Sequence, residues 1–111
     1  MGARAESLVC EYLEARGYRV IERNVRIGRK ELDIIARRGR TLVVCEVRAR
    51  RTGRSLSPLE TITDRKIRHI REGALAWLIK AGLRGVAVRF DAAAVTFDDP
   101  RGCIDYREDA F

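Results

Sequence analysis

Apolar residues recur along this chain in two rhythms, and the changes between them predict its elements. Ala5, Leu8, Val9, Tyr12 and Leu13 keep the i, i+3, i+4, i+7, i+8 spacing of an amphipathic helix, and Gly17 ends it. Residues 18–23 predict a first strand, followed by a turn or bend over 24–30 that contains Gly28. Two runs of β-branched and aliphatic residues come next: Glu31-Leu32-Asp33-Ile34-Ile35-Ala36 and Leu42-Val43-Val44-Cys45-Glu46-Val47-Arg48. The short, glycine-centred Arg37-Arg38-Gly39-Arg40-Thr41 between them predicts a hairpin. Residues 49–63 are polar, and within them Ser57-Pro58-Leu59-Glu60 has the cap and early proline of a short helical start.

Ile67, Ile70, Ala74, Trp77, Leu78 and Ala81 set the apolar face of a second helix, expected from about 63–64 to 81 with Gly82 past its end. Arg65, Lys66, Arg68, His69, Arg71 and Lys80 are expected on its other faces. A strand within 85–95, a turn over 98–102 and an edge strand over 103–107 complete the chain. The resulting fold class is α/β (α+β), a mixed sheet flanked by two helices in the order αβββαβ(β).

The hairpin register follows from its turn. With Gly39-Arg40 as a two-residue type II′ turn, Arg38 faces Thr41, Ile35 faces Val44, Asp33 faces Glu46 and Glu31 faces Arg48. Directly opposed residues have Cβ atoms roughly 4.5–5.5 Å apart, and two like charges there destabilise a sheet. A divalent cation shared by Asp33 and Glu46 removes that conflict.

Composition narrows the class. The 111 residues suffice for one domain, and 46% hydrophobic with 35% charged residues describes a globular protein with a heavily charged surface. No apolar run approaches the roughly 20 residues of a membrane helix, and the N-terminus lacks a secretory pattern, so cytoplasm is the expected compartment and no membrane the expectation. Cys10, Cys45 and Cys103 have no metal-ligand spacing and are expected as reduced, core-filling thiols. His69, the single histidine, has no marked nucleophile beside it and is expected at the surface. Formal charge is +7 and the pI about 10.0. The excess concentrates between Val47 and Arg71, where Arg48, Arg50, Arg51, Arg54, Arg65, Lys66, Arg68 and Arg71 face only Glu60 and Asp64. Such a block is the electrostatic footprint of a phosphate backbone. Glu6, at the edge of the first helix's apolar stripe, is the acid of that helix able to approach a site beside the sheet.

These residues in this order resemble the PD-(D/E)XK nuclease superfamily, which includes restriction enzymes and Holliday-junction resolvases, and more closely the YraN family of small bacterial proteins. The resemblance runs through Gly2-x-x-x-Glu6, Gly17-Tyr18, Asn24-x-Arg26, the Glu31–Ala36 run, Glu46-Val47-Arg48-x-Arg50, Lys66, Arg89-Phe90-Asp91 and Asp109-Ala110-Phe111. It implies a restriction-endonuclease-like sheet, with Asp33 and Glu46 as ligands of Mg²⁺ or Mn²⁺ and Arg48 where the superfamily carries its catalytic lysine. It implies further that Glu6 completes the site as a helix-borne acid. Arginine effectively cannot deprotonate, so Arg48 is restricted to an electrostatic or orienting role, or to an ion pair with Glu31.

The leading functional expectation is a metal-dependent phosphodiesterase acting on DNA, branched or damaged DNA included. Asp33 and Glu46 bind the metal, Arg48 stabilises the transition state, Glu31 or Glu6 assists, and Arg50, Arg51, Arg54, Arg65, Lys66 and Arg68 hold the backbone. A non-catalytic nucleic-acid-binding module is the second expectation and a protein-interaction domain the third. A homodimer is admitted by the resemblance, although no apolar helix face in the sequence demands one.

Overall fold

A computed structural model describes residues 2–50, 62–97 and 102–111. The expected helical start at 57–60, most of the turn over 98–102, and the side chains of Arg50, Arg51 and Arg54 lie outside the described residues. Helix α1 spans Gly2–Ala15, strands β1, β2 and β3 span Arg19–Ile27, Lys30–Arg38 and Thr41–Arg50, and helix α2 spans Asp64–Ala81. Strands β4 (Ala87–Thr96) and β5 (Cys103–Arg107) follow. The five strands form one mixed sheet in the order β1-β2-β3-β4-β5, with β3 and β4 parallel and the other neighbours antiparallel. The expected α+β architecture is therefore present, with α2 carrying the crossover that a parallel pair requires.

Each helix covers one face. Val9, Leu13, Ile34, Ala36, Val43, Cys45, Ala93 and Val95 bury the α1 face, and Leu32, Ile35, Leu42, Val44, Ile70, Trp77 and Phe90 bury the α2 face. Helix α2 has the expected bounds because its caps are encoded. Thr63 Oγ1 accepts from the Lys66 N–H, and Gly82 ends the helix at φ 65°, a conformation glycine adopts without steric cost. Gly73 sets the depth of the helix: a Cβ there would lie 3.3 Å from Leu32 Cδ2, so its absence lets α2 settle onto β2.

Three expectations change. Strand β1 runs on to Ile27, and the turn over 24–30 shrinks to Gly28-Arg29, because Asn24 takes φ 51° and bends the strand without ending it. Cys10 and Cys45 are buried, and burial beside Asp91 holds the Cys45 thiol well above its usual pKa, but Cys103 is exposed on β5. On α2, Leu75 and Ile79 stand out as exposed apolar side chains. His69 is exposed, as expected. No described helix is long and apolar enough to cross a membrane.

Candidate functional site

The β2–β3 hairpin has the expected register only as far as it is a ladder. Gly39 takes φ 59° and Arg40 does not have a positive φ, as a glycine-first two-residue turn requires. Arg38 pairs with Thr41, Ile35 with Val44 and Ile34 with Cys45, and there the ladder ends. Asp33 and Glu46 are not ladder partners. Instead the Asp33 carboxylate reaches β3 directly, where its Oδ2 accepts from the Val47 N–H at 2.8 Å. The alternation of β2 also breaks at this residue, since Ile34 faces α1 whereas both Leu32 and Ile35 face α2. Asp33 thus lies in a fork where the two strands part. Asn24, with its positive φ, is the β1 residue flanked by the pairs Arg23↔Ile34 and Val25↔Leu32, so both strands change face together.

The fork brings two carboxylates together. Glu46 is only 4% exposed, and burial followed by the neighbouring Asp33 pushes its carboxyl up to about 7. Burial likewise raises Asp33, against the opposing effects of the Val47 N–H and the contact with Glu46. Part of that burial comes from β4, whose Ala92 and Ala94 pair with Glu46 and Arg48. A methyl neighbour offers a carboxylate no hydrogen bond, so the charged form of Glu46 is poorly solvated there.

The cation that reaches this pair is Lys66. Its Nζ lies 3.2 Å from Glu46 Oε1. The sequence reading placed Lys66 on an outward face of α2, and the structure corrects this: Lys66, Ile70, Gly73 and Trp77 form one stripe towards the sheet. The spacing of Lys66 to Ile70 and Gly73, four and seven residues, was the signal available. Lys66 sits in the first turn of α2, two turns ahead of Gly73, so the depth set at Gly73 also sets its reach.

The other expected residues divide. Arg48 lowers the Glu46 pKa and so lies within its field, and its Nε is buried without a hydrogen-bond partner among the described residues. The expected Glu31–Arg48 pair does not form among the described residues: Glu31 is exposed, pairs across β1–β2 with Arg26, and acts on Asp33 only as a nearby like charge. Glu6 is buried on the α1 side, where Arg23 Nη2 approaches its Oε1 at 3.9 Å and also donates to Ser7 Oγ. No hydrogen bond or ion pair joins Glu6 to Asp33 or Glu46 among the described residues. Arg65 and Arg68 are exposed on α2.

Sequence reasoning gave no chemical role to a second buried carboxylate. Asp91 is 0% exposed and accepts from Arg89 Nε at 2.9 Å, Arg89 Nη2 at 2.9 Å, the Tyr106 hydroxyl at 2.5 Å and the Asp109 N–H at 2.9 Å. Arg89 donates further to the Tyr18 hydroxyl and pairs with Glu108. Asp91 holds the Arg89 guanidinium above its ordinary pKa, and burial raises the Tyr106 phenol. A lone aspartate within the apolar run 86–95 was the visible signal.

Asp33 and Glu46 supply hard oxygen donors, and the described residues hold no cluster of three or more His, Cys, Asp or Glu suited to a metal. Two carboxylates are what Mg²⁺ takes from a protein when water and substrate phosphate complete its shell. The residues therefore fit such an ion.

A mixed α+β domain with a two-carboxylate fork and an opposing lysine is thus defined by its geometry. A family model described as Uncharacterised protein family UPF0102 matches residues 5–95. A UPF0102 protein of Geobacter sulfurreducens is 45% identical over 100 residues, covering 90% of this chain and 78% of that protein. One of Thermotoga neapolitana is 42% identical over 104 residues (94% and 91%), and one of Geobacter metallireducens 38% over 111 residues (100% and 91%). The chain belongs to the UPF0102 family.

Proposed function

We propose that the protein is a metal-dependent nuclease of the PD-(D/E)XK type, hydrolysing phosphodiester bonds in DNA. The observation that carries this reading is the fork: two carboxylates at the point where the β2–β3 ladder ends, each raised by burial, with a lysine at 3.2 Å from one of them. A sheet loses stability by burying like charges together, and a site that does so is suited to a cation.

Asp33 and Glu46 would hold Mg²⁺ or Mn²⁺, and such an ion would make a bound water more acidic and offset charge on the phosphate. The chain's own groups do the rest. The Val47 N–H fixes the Asp33 carboxylate, and the alanines of β4 keep water from Glu46. Lys66 provides the ammonium that the superfamily carries at the position of Arg48, and takes up charge developing on a non-bridging phosphate oxygen. Arg48 lies in the field of Glu46, and its guanidinium would help to orient the same phosphate. Arg65 and Arg68 of α2, with Arg50, Arg51 and Arg54, contribute to the phosphate path.

The Lys66–Glu46 ion pair favours one other reading, a nucleic-acid-binding module whose lysine has replaced the metal. Cleavage of labelled single-stranded, duplex and branched DNA with Mg²⁺ or Mn²⁺ separates the two. Nuclease action predicts cutting that falls at least a hundredfold in Asp33→Ala and in Lys66→Ala, and survives in Arg48→Lys. Salt-sensitive binding without cutting in the wild type leaves the binding module.

A further inference from the structure

The opposite end of the β2–β3 hairpin carries a concentration of positive charge that the fork does not use. Arg37, Arg38 and Arg40 surround the turn, Arg19 of β1 lies beside them, Arg16 begins the loop leaving α1, and Arg84 precedes β4. Chain connectivity joins these segments at one end of the sheet, since the Ala87 N–H donates to the Arg40 carbonyl at 2.7 Å and Arg38 Nη1 donates to the Arg16 carbonyl at 2.9 Å.

Two features distinguish this end from an ordinary solvated face. Arg19 and Arg37 are direct cross-strand partners, a like-charge pairing that costs stability unless an anion lies across it. In addition, the six arginines lie together and none has an ion-pair partner among the described residues; Arg26, Arg29, Arg65 and Arg68 also have none but lie elsewhere on the chain. Three of the six, Arg16, Arg37 and Arg38, are nevertheless held. Arg37 Nε donates to the Gly39 carbonyl at 2.8 Å, and Arg38 lies over the Tyr18 ring, 4.4 Å from its centroid. Arg16 lies over the Tyr12 ring at 3.4 Å and donates to the Tyr12 carbonyl. Carbonyls and rings orient a guanidinium without neutralising it, so the charge stays available to a ligand at little ordering cost. Glu14 is the acid in the last turn of α1, and it is exposed and makes no ion pair among the described residues.

From these contacts we infer that the hairpin tip is a second phosphate-binding surface, contacting the backbone of the same nucleic acid that reaches the fork. The inference rests on the nuclease reading for its partner. Arg38 and Asp33 are five residues apart on β2, roughly 17 Å at about 3.4 Å per residue. At the same rise per base pair, a duplex lying along the hairpin meets the tip about five base pairs from the fork. The tip therefore sets a minimum duplex length for tight binding and fixes the direction in which the duplex leaves the site.

The test compares wild type with Arg19→Gln/Arg37→Gln/Arg40→Gln, which spares the packed Arg16 and Arg38, and with the corresponding triple lysine variant. Fluorescently labelled DNA hairpins with stems of 5 and 15 base pairs are titrated across salt concentrations, with circular dichroism confirming the fold. The wild type should bind the long stem at least tenfold more tightly than the short one. The glutamine variant should lose most of that preference and flatten the salt slope by about 2.7, at roughly 0.9 for each of three lost phosphate contacts, while the lysine variant keeps both. A glutamine variant that keeps the wild-type slope and preference overturns the inference and leaves the nuclease reading standing, even if it loses a polyglutamate peptide that the wild type binds. A wild type with no salt-sensitive DNA binding overturns both, and the wild-type titration alone reveals it.

Discussion

Two buried carboxylate sites on neighbouring strands of one sheet have opposite character. At Asp91, on β4, hydrogen bonds from Arg89, Tyr106 and the Asp109 backbone satisfy the charge on every side. At the Asp33–Glu46 fork, Val47 and Lys66 are the donors among the described residues, and the carboxylates otherwise face each other. The difference is in donor count, and burial alone does not separate the two. A buried charge with its donors filled is a structural fastener; a buried pair short of donors has capacity left for something that is not part of the chain. Asp91 ties β4 to the Tyr18 entry of β1 through Arg89, to β5 through Tyr106 and to the C-terminal turn through Asp109. The fork ties β2 to β3 through the Val47 N–H and β3 to α2 through Lys66, with two donors for two carboxylates among the described residues.

The largest effect that sharpens this contrast is at Asp91. Asp91→Ala leaves Arg89, the Tyr106 hydroxyl and the Asp109 N–H without their acceptor, and urea unfolding should show a loss of about 3–5 kcal/mol. A loss under 1 kcal/mol would remove the distinction between the two sites.

The fork predicts the reverse sign. The Glu46 pKa of about 7 lies above the ordinary 4.5, so between these values the folded chain keeps a proton the unfolded chain has lost. Stability therefore falls as pH rises through that window, with the full cost, up to about 3 kcal/mol, present above pH 7. Glu46→Gln should stabilise the metal-free protein at pH 8 by about 1–3 kcal/mol and change little at pH 4. Equal effects at both pH values would show that Glu46 is not held up by its surroundings.

Gly73 tests how the fork acquires its lysine. Gly73→Ala gains roughly 1 kcal/mol of helix propensity, but its Cβ meets Leu32 Cδ2 at 3.3 Å, so net stability should drop by only about 1 kcal/mol. Because α2 is lifted two turns from Lys66, DNA cleavage should fall further than stability. Cleavage at the wild-type rate would show that Lys66 does not depend on that close approach.

What the sequence made legible follows the range of the interaction. The hairpin register from Arg38↔Thr41 to Ile34↔Cys45, and both ends of α2, are set by neighbours a few residues away: Gly39, Thr63 and Gly82. Asp33 and Glu46 were identified as a pair on the same local reasoning. The failure came where the ladder stops, because the Asp33 side chain takes a β3 backbone N–H and Asn24 bends the strand beside it. That change separated Glu31 from Arg48. Lys66 was counted as backbone-binding charge because a lysine ending an apolar stripe looks solvated until the partner under it is known. Asp91 needed four segments of chain, from Tyr18 to Asp109, and no local pattern announces such a convergence.

The most direct test of the fork as a cation site is Mn²⁺ added in substoichiometric steps to isotopically labelled protein at pH 8, followed by amide resonance broadening. The fork predicts that amides of residues 32–34 and 46–48 broaden first, and that the selectivity disappears in Asp33→Asn. Broadening that begins at Asp105, Glu108 and Asp109, or that is unchanged in Asp33→Asn, would contradict it.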